Sequence, residues 1–158
     1  MKKALPYLVI GLFLVGYYYF RYRRAPEIDF STIAIVDESG AKIYVKDELG
    51  EYSTVHFYAS WCGPCIAEMH RIKDNFEMLQ SLGIKFIFIT DDSEEQIQRT
   101  REFMPDEISF FRINSLNEAG IYTLPTTYIL KGIDVIEKHV EALGWNNKEE
   151  LKKIFTIN

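Results

Sequence analysis

Residues 61–65 read Trp-Cys-Gly-Pro-Cys, and this stretch contains both cysteines of a chain of 158 residues. Two thiols separated by two residues can close a small disulfide ring and open it again. With no further cysteine in the sequence, the pair cannot crosslink distant parts of the chain. The motif therefore predicts a redox centre whose chemistry is thiol–disulfide exchange.

The residues on either side of the motif predict a junction between a strand and a helix. The segment 53–59 is rich in β-branched and aromatic residues, and the apolar residues of 69–79 recur at helical spacing. Pro64 suits the first turn of a helix, where its missing N–H costs nothing. Cys62 then lies at or next to the N-cap, where free N–H groups and the helix dipole favour a thiolate. We therefore expect Cys62 to attack and Cys65, one turn further on the buried side, to resolve.

A second signal, Leu124-Pro125-Thr126, places a proline directly before a β-rich run. Together with the dithiol at a strand-to-helix junction, it makes the segment 53–155 resemble a thioredoxin-fold domain. The resemblance implies that the Leu124–Pro125 bond is cis and lies against the dithiol. It also implies a docking groove for the partner's cysteine, formed by Trp61, Gly63, Pro64, Leu124, Pro125 and Thr126.

The segment 59–69 is similar to the membrane-anchored TlpA- and ResA-like branch, which includes the reductases of cytochrome c maturation. Glu68 stands at the acidic position of that branch, and the stretch between the cysteines and Pro125 is longer than in a plain thioredoxin. The resemblance implies that the protein reduces disulfides of extracytoplasmic partner proteins, using a membrane electron donor. It implies no metal and no cofactor beyond the Cys62–Cys65 disulfide.

The alternation of predicted strands and helices indicates an α/β fold with a central mixed β-sheet flanked by helices. Strands are predicted at 33–36, 42–45, 53–59, 84–90, 110–113, 126–130 and 135–139. Helices are predicted from the motif to Gly83, at 93–103, as a short turn at 114–119, and from Asn147 onward. We therefore expect a thioredoxin-like domain at 33–158, after a linker at 25–32.

Residues 1–24 are predicted to be an N-terminal membrane anchor with a basic flank. The run 4–20 contains no charged residue. Its length is at the short end of what a transmembrane helix requires. A cleaved signal peptide is the alternative, but the run ends in Phe20-Arg21-Tyr22-Arg23-Arg24 rather than in small residues. Basic residues flank both ends, so they do not fix the orientation. The resemblance implies a single-pass protein of the cytoplasmic (inner) membrane, with its catalytic domain on the periplasmic side.

The charge of the chain lies almost entirely in the predicted domain. All 23 acidic residues but only 13 of the 18 basic ones follow Ala25, which leaves that part near −10. This acidity argues against binding to nucleic acid and against lying flat on anionic lipid.

His56 and Glu68 are candidate proton acceptors for Cys65. His56 lies on the strand beneath the motif, where relatives often carry an acid or an amide, and Glu68 lies one turn beyond Cys65. A plain buried histidine and a solvated surface acid are the alternative interpretations. His70 and His139 are expected at the surface, and Trp61 is expected to pack beside the dithiol.

The Gly-Pro pair between the cysteines resembles reducing thioredoxins, so a reductase is favoured over a disulfide oxidase or isomerase. A copper or other metal chaperone could use the same two sulfurs with a histidine. A zinc site shared between two chains is a weaker alternative, because the histidines show no ligand spacing. A peroxidase is disfavoured, because its expected thiol motif is absent.

Overall fold

The structure, a computed structural model, describes residues 28–140 and 143–155 together with Gly11, Gly16 and Tyr17. The strands in this part are β1 Ala34–Val36, β2 Lys42–Tyr44, β3 Tyr52–Phe57, β4 Ile84–Thr90, β5 Ser109–Arg112, β6 Thr126–Lys131 and β7 Asp134–His139. The helices are α1 Val45–Glu48, α2 Gly63–Asp74, α3 Phe76–Gln80, α4 Glu94–Arg101 and α5 Lys148–Ile154.

The strands form one mixed sheet in the order β2-β1-β5-β4-β3-β6-β7. β3, β4 and β5 are parallel at its centre, while β6 and β7 add antiparallel strands on one side and β1 and β2 on the other. The predicted α/β fold with a central mixed sheet is therefore confirmed. The parallel centre brings the C-terminal ends of β3 and β4 together, next to the start of α2.

Alternate residues of the central strands pack into two separate cores. Phe86 and Phe88 of β4 face the buried residues of α2, α3, α4 and α5. Ile87 and Ile89 face the opposite core, which includes Val55 and Phe57 of β3. By the same alternation His56 lies on the face covered by helices, where its ring centroid is 4.8 Å from that of Phe88.

One predicted helix differs from the structure. The helix predicted from the motif to Gly83 is interrupted at Asn75, whose backbone leaves the helical region (φ −112°, ψ 10°). The Asn75 side chain donates to the Arg71 carbonyl (2.8 Å), so the amide competes with the helical bonding pattern. The short turn predicted at 114–119 is present as a series of turns, in which the Ala119 N–H donates to the Ser115 carbonyl at 3.3 Å.

The packed domain begins earlier than the sequence predicts. Phe30, assigned to the linker 25–32, is only 1% exposed. Its ring packs edge-on against Tyr128 at 5.2 Å and lies 6.5 Å from that of Phe57. The linker prediction therefore extends too far toward the C-terminus, because spacing alone does not show that an isolated aromatic residue reaches the sheet.

The predicted anchor at 1–24 falls outside the described residues, apart from Gly11, Gly16 and Tyr17. In the part of the chain that the structure describes, no helix is both long enough and apolar enough to cross a membrane.

Candidate active site

The two cysteines lie where β3 gives way to α2, as predicted. Cys62 is the N-cap of α2, with Pro64 in the first turn, and its Sγ accepts the backbone N–H of Cys65 at 3.3 Å. The two sulfurs form a disulfide. Cys62 is 5% exposed and Cys65 is fully buried, so a partner can reach only the first sulfur. The predicted roles of attacking and resolving thiol fit this arrangement and stay predictions.

Side chains from the β4–α4 connection and from the first turn of α4 hold the loop that precedes Cys62. Asp92 Oδ2 accepts the backbone N–H of Ser60 at 2.6 Å, and Gln96 Nε2 donates to Ser60 Oγ at 2.9 Å. Gln96 is itself fixed by a capping box with Ser93 at the start of α4. The position of the reactive loop is therefore set by a neighbouring helix as well as by β3.

A second turn completes the surface around Cys62. The Leu124–Pro125 peptide bond is cis, and Thr126 Oγ1 donates to the Thr123 carbonyl at 2.7 Å. The N–H groups of residues 122–124 donate no hydrogen bond to any other described residue. These donors are free to pair with the backbone of an extended partner segment.

The docking groove between the two turns has a volume of about 570 Å³. It is lined by residues 61–64, by 121–124, by Asp91 and by 116–117. Of the predicted groove residues, Trp61, Gly63, Pro64 and Leu124 line it. Pro125 and Thr126 are buried and do not line it, because β6 begins at Thr126 and enters the sheet there.

Trp61 does not pack against the core. Its side chain is 77% exposed at the edge of the docking groove, and Tyr122 across the cis-proline turn is 76% exposed. This exposure rules out the alternative that Trp61 merely fills the core, and its place beside Cys62 fits the predicted position next to the dithiol. Large aromatic side chains left in water beside a reactive group are typical of a contact surface for a partner.

A buried polar cluster lies on the core-facing side of α2, and its members Glu68 and His56 do not line the docking groove. Glu68 is fully buried, and its Oε1 accepts the Leu143 N–H (3.1 Å) and the Trp145 indole N–H (2.8 Å). Its Oε2 lies 3.9 Å from His56 Nε2, and neither atom has a hydrogen-bond partner among the described residues. His56 Nδ1 lies 2.7 Å from Thr127 Oγ1. Glu68 is therefore no surface acid, and His56 faces it directly.

Burial determines the charge of this cluster. Desolvation lowers the pKa of His56 from 6.5 to about 3, so its imidazole is neutral at physiological pH. Desolvation also raises the pKa of Glu68, and the donors from Leu143 and Trp145 offset that rise only in part. The 3.9 Å contact is therefore not an ion pair. It places a carboxyl group whose pKa is raised by burial beside a neutral imidazole.

We expect His56 to make the stability of the fold depend on pH between its ordinary pKa of 6.5 and its folded value of about 3. In that range the unfolded chain binds a proton at His56 and the folded chain does not. The unfolding free energy therefore falls as the pH is lowered, by up to about 1.4 kcal/mol per pH unit. The raised pKa of Glu68 acts in the opposite sense, because it removes stability as the pH rises above 4.5.

Urea unfolding of wild type and His56→Asn across this range measures the effect. Asparagine keeps a polar partner for Thr127 but does not titrate, so its stability should vary less steeply with pH. The exposed His70 provides the matched control, and His70→Asn should follow the wild type. Equal slopes for wild type and His56→Asn would contradict the assignment.

Among the residues of the site that sequence reasoning missed are Asp91, Asp92, Tyr122, Thr127 and Trp145. Only Thr127 has a sequence signal, because it lies two residues after Pro125 at the start of a β-rich run, and the structure pairs it with His56 across β3 and β6. Trp145 lies outside every strand and helix, and no spacing connects it to Glu68.

Comparisons with known proteins identify the family of this chain. The sequence matches the model of the AhpC/TSA family over residues 23–139. The chain is 27% identical to sporulation thiol-disulfide oxidoreductase A of Bacillus subtilis, over 66% of this chain and 66% of that protein. It is 25% identical to thiol-disulfide oxidoreductase ResA of Bacillus thuringiensis, over 75% and 70% of the two chains. The chain thus spans about two thirds of the length of these relatives.

Solved structures share the fold. The thioredoxin domain of a thiol-disulfide oxidoreductase from Bacteroides vulgatus superposes with a TM-score of 0.62 at 17% identity, over 78% of this chain and 92% of that one. StoA from Bacillus subtilis superposes with a TM-score of 0.53 at 18% identity, over 77% and 94%. The names of the sequence relatives confirm the predicted enzyme class, thiol–disulfide oxidoreductase. Because the family match covers most of the sequence and the fold agrees with it, the chain belongs to the AhpC/TSA family.

Proposed function

We propose that the protein is a membrane-anchored reductase that opens disulfides in extracytoplasmic partner proteins. The observation that carries this proposal is the position of the Cys62–Cys65 disulfide. Its reachable sulfur caps a helix and opens into a groove beside a cis-proline turn with unpaired backbone donors. The names of the Bacillus relatives support the same chemistry. By resemblance, an apocytochrome c is one candidate partner.

The reaction proceeds in two exchanges. The Cys62 thiolate attacks one sulfur of the partner's disulfide, which forms a mixed disulfide and releases the partner's other sulfur as a thiolate. Cys65 then loses its proton and attacks Cys62 Sγ, which closes the Cys62–Cys65 disulfide and releases the partner's second thiol. Two electrons pass to the partner, so a membrane electron donor must reduce the disulfide before the next cycle.

The second exchange needs an acceptor for the proton of Cys65, and Glu68 with His56 supplies one in this proposal. Cys65 and Glu68 lie one turn apart on the buried face of α2. A thiol taken out of water gives up its proton reluctantly, so a buried acceptor speeds its attack. Glu68 Oε2 and His56 Nε2 have no hydrogen-bond partner among the described residues, so either atom is free to accept that proton.

The reduction potential of the Cys62–Cys65 couple tests the direction of electron flow. Equilibration of the purified protein with glutathione or dithiothreitol buffers should give a value near that of thioredoxin, about −270 mV. A value near −120 mV would instead indicate an oxidase. An intermediate potential with rapid reshuffling of scrambled disulfides would indicate an isomerase.

Thiol labelling tests the proposed anchor and its orientation. Because the chain has only two cysteines, any label reports on the dithiol alone. After mild reduction of intact cells, a membrane-impermeant maleimide should label the wild type and leave a Cys62→Ser, Cys65→Ser variant unlabelled. Labelling only after lysis would place the domain in the cytoplasm. A mature protein that lacks the first twenty or so residues would identify them as a signal peptide.

The metal-chaperone alternative would need a third ligand near the two sulfurs. His56 is engaged with Thr127 and faces Glu68. In residues 28–140 and 143–155, no group of three or more His, Cys, Asp or Glu side chains is arranged to hold a metal ion. Copper bound by the reduced protein, without turnover of a disulfide substrate, would favour the chaperone over the reductase.

A further inference from the structure

The docking groove carries a negative charge that the exchange of sulfurs does not require. Among the described residues that line it, Asp91 alone carries a charge. Its Oδ2 accepts the Leu116 N–H at 3.1 Å, which fixes the carboxylate, and its Oδ1 has no partner in the described part of the chain. Asp91 is exposed, so this oxygen is available to a bound segment.

Two aromatic rings accompany this carboxylate. Trp61 and Tyr122 line the same groove and leave about three quarters of their surface in water, at 77% and 76% exposed. Aromatic faces attract cations, and the long stems of lysine and arginine pack well along such rings. A negative charge beside two open aromatic side chains is complementary to a cationic side chain.

We propose that the docking groove selects partner segments that carry a lysine or arginine within two residues of the reacting cysteine. The inference rests on the proposed reductase function and specifies which partners it prefers. The partner's backbone pairs with the free N–H groups of residues 122–124 and its cysteine meets Cys62. The neighbouring cationic side chain lies against the aromatic rings and pairs with Asp91. Asp91 is thus a specificity-determining residue and takes no part in the exchange of sulfurs.

Three synthetic peptides test this selection with the full-length reduced protein. They share one sequence and differ only in the residue two positions after a single cysteine, which is lysine, glutamine or glutamate. The cysteine is blocked as a mixed disulfide with thionitrobenzoate, whose release reports the attack of Cys62. At low salt the wild type should react with the peptides in the order lysine, glutamine, glutamate, with about a threefold difference at each step. At about 1 M salt the differences should disappear.

Asp91→Asn removes the charge and keeps an oxygen that can accept the Leu116 N–H. In this variant the three peptides should react within about twofold of one another. Asp134→Asn is the matched control, because Asp134 is exposed on β7, away from the groove, and the substitution changes the net charge equally. This control should keep the wild-type order.

Equal rates for the three peptides with the wild type would overturn the proposed selection. The same would follow if Asp91→Asn kept the wild-type order, or if Asp134→Asn lost it as fully as Asp91→Asn, since the preference would then come from the overall charge. Failure of the proposed reductase function would look different, because the separately measured reduction potential of the Cys62–Cys65 couple would then lie near that of a disulfide oxidase, whatever the order of the three peptides.

Discussion

Cys62→Ser should abolish disulfide reduction, with a loss of at least about 1,000-fold, because a serine hydroxyl cannot replace the thiolate that attacks. Cys65→Ala should behave differently. It keeps the attacking sulfur at the N-cap of α2 but removes the thiol that releases the partner. With a peptide disulfide, this variant should give one rapid, stoichiometric exchange and then stop. Mass spectrometry should identify a stable adduct on Cys62.

Alkylation of the reduced wild type provides an independent check of these roles. At neutral pH, iodoacetamide should modify Cys62 first, because its sulfur opens into the docking groove while Cys65 is fully buried. The role assignment would be reversed if Cys65 reacted faster, or if the stable adduct formed in Cys62→Ser and not in Cys65→Ala.

Glu68→Gln should slow the second exchange about 100-fold while leaving the first attack within about twofold of the wild-type rate. Glutamine still offers an oxygen to the Leu143 and Trp145 donors, so the fold is retained, but it cannot take the proton of Cys65. Rapid mixing with a peptide disulfide separates formation of the mixed disulfide from its release. The pH profile of release should lose one inflection.

Three further variants separate this role from a merely structural one. Glu77→Gln makes the same chemical change at an exposed position of α3 and should release the partner at the wild-type rate. Trp145→Phe removes one donor to Glu68 and should move the inflection to higher pH, because that donor lowers the pKa of Glu68. Wild-type release by both Glu68→Gln and His56→Asn, from about pH 5 to 9, would leave solvent as the proton carrier.

The framework of the fold follows from local patterns. β3, β4 and the start of α2 are predictable because β-branched runs, helical spacing and Pro64 act over a few residues. The burial of Glu68 is not predictable in this way, because its partners lie 75 and 77 residues further along the chain. A carboxylate on an amphipathic helix has no local mark that distinguishes a hydrogen-bonded buried acid from a solvated one.

The location of the docking groove is predictable from the sequence, but the exposure of the side chains that line it is not. The motif and the proline identify the two turns that meet, whereas the exposure of Trp61 and Tyr122 depends on how those turns are spaced in three dimensions. Asp91 is equally inconspicuous, since it is one of several acids after β4. Its importance arises from the Leu116 N–H that fixes it at the edge of the groove.

The N-cap of α2 has a thermodynamic consequence, because the sulfur that caps the helix is also the one that gains and loses electrons. As a thiolate it carries a full charge at the positive end of the helix, and as part of a disulfide it is neutral. Folding and reduction therefore form a closed thermodynamic cycle. If folding stabilises the dithiol more than the disulfide, the reduction potential of the Cys62–Cys65 couple shifts by the corresponding amount. Each increment of about 1.4 kcal/mol in that extra stabilisation raises the potential by about 30 mV. Substitutions at Gly63 or Pro64 that weaken the cap would make the protein a stronger reductant.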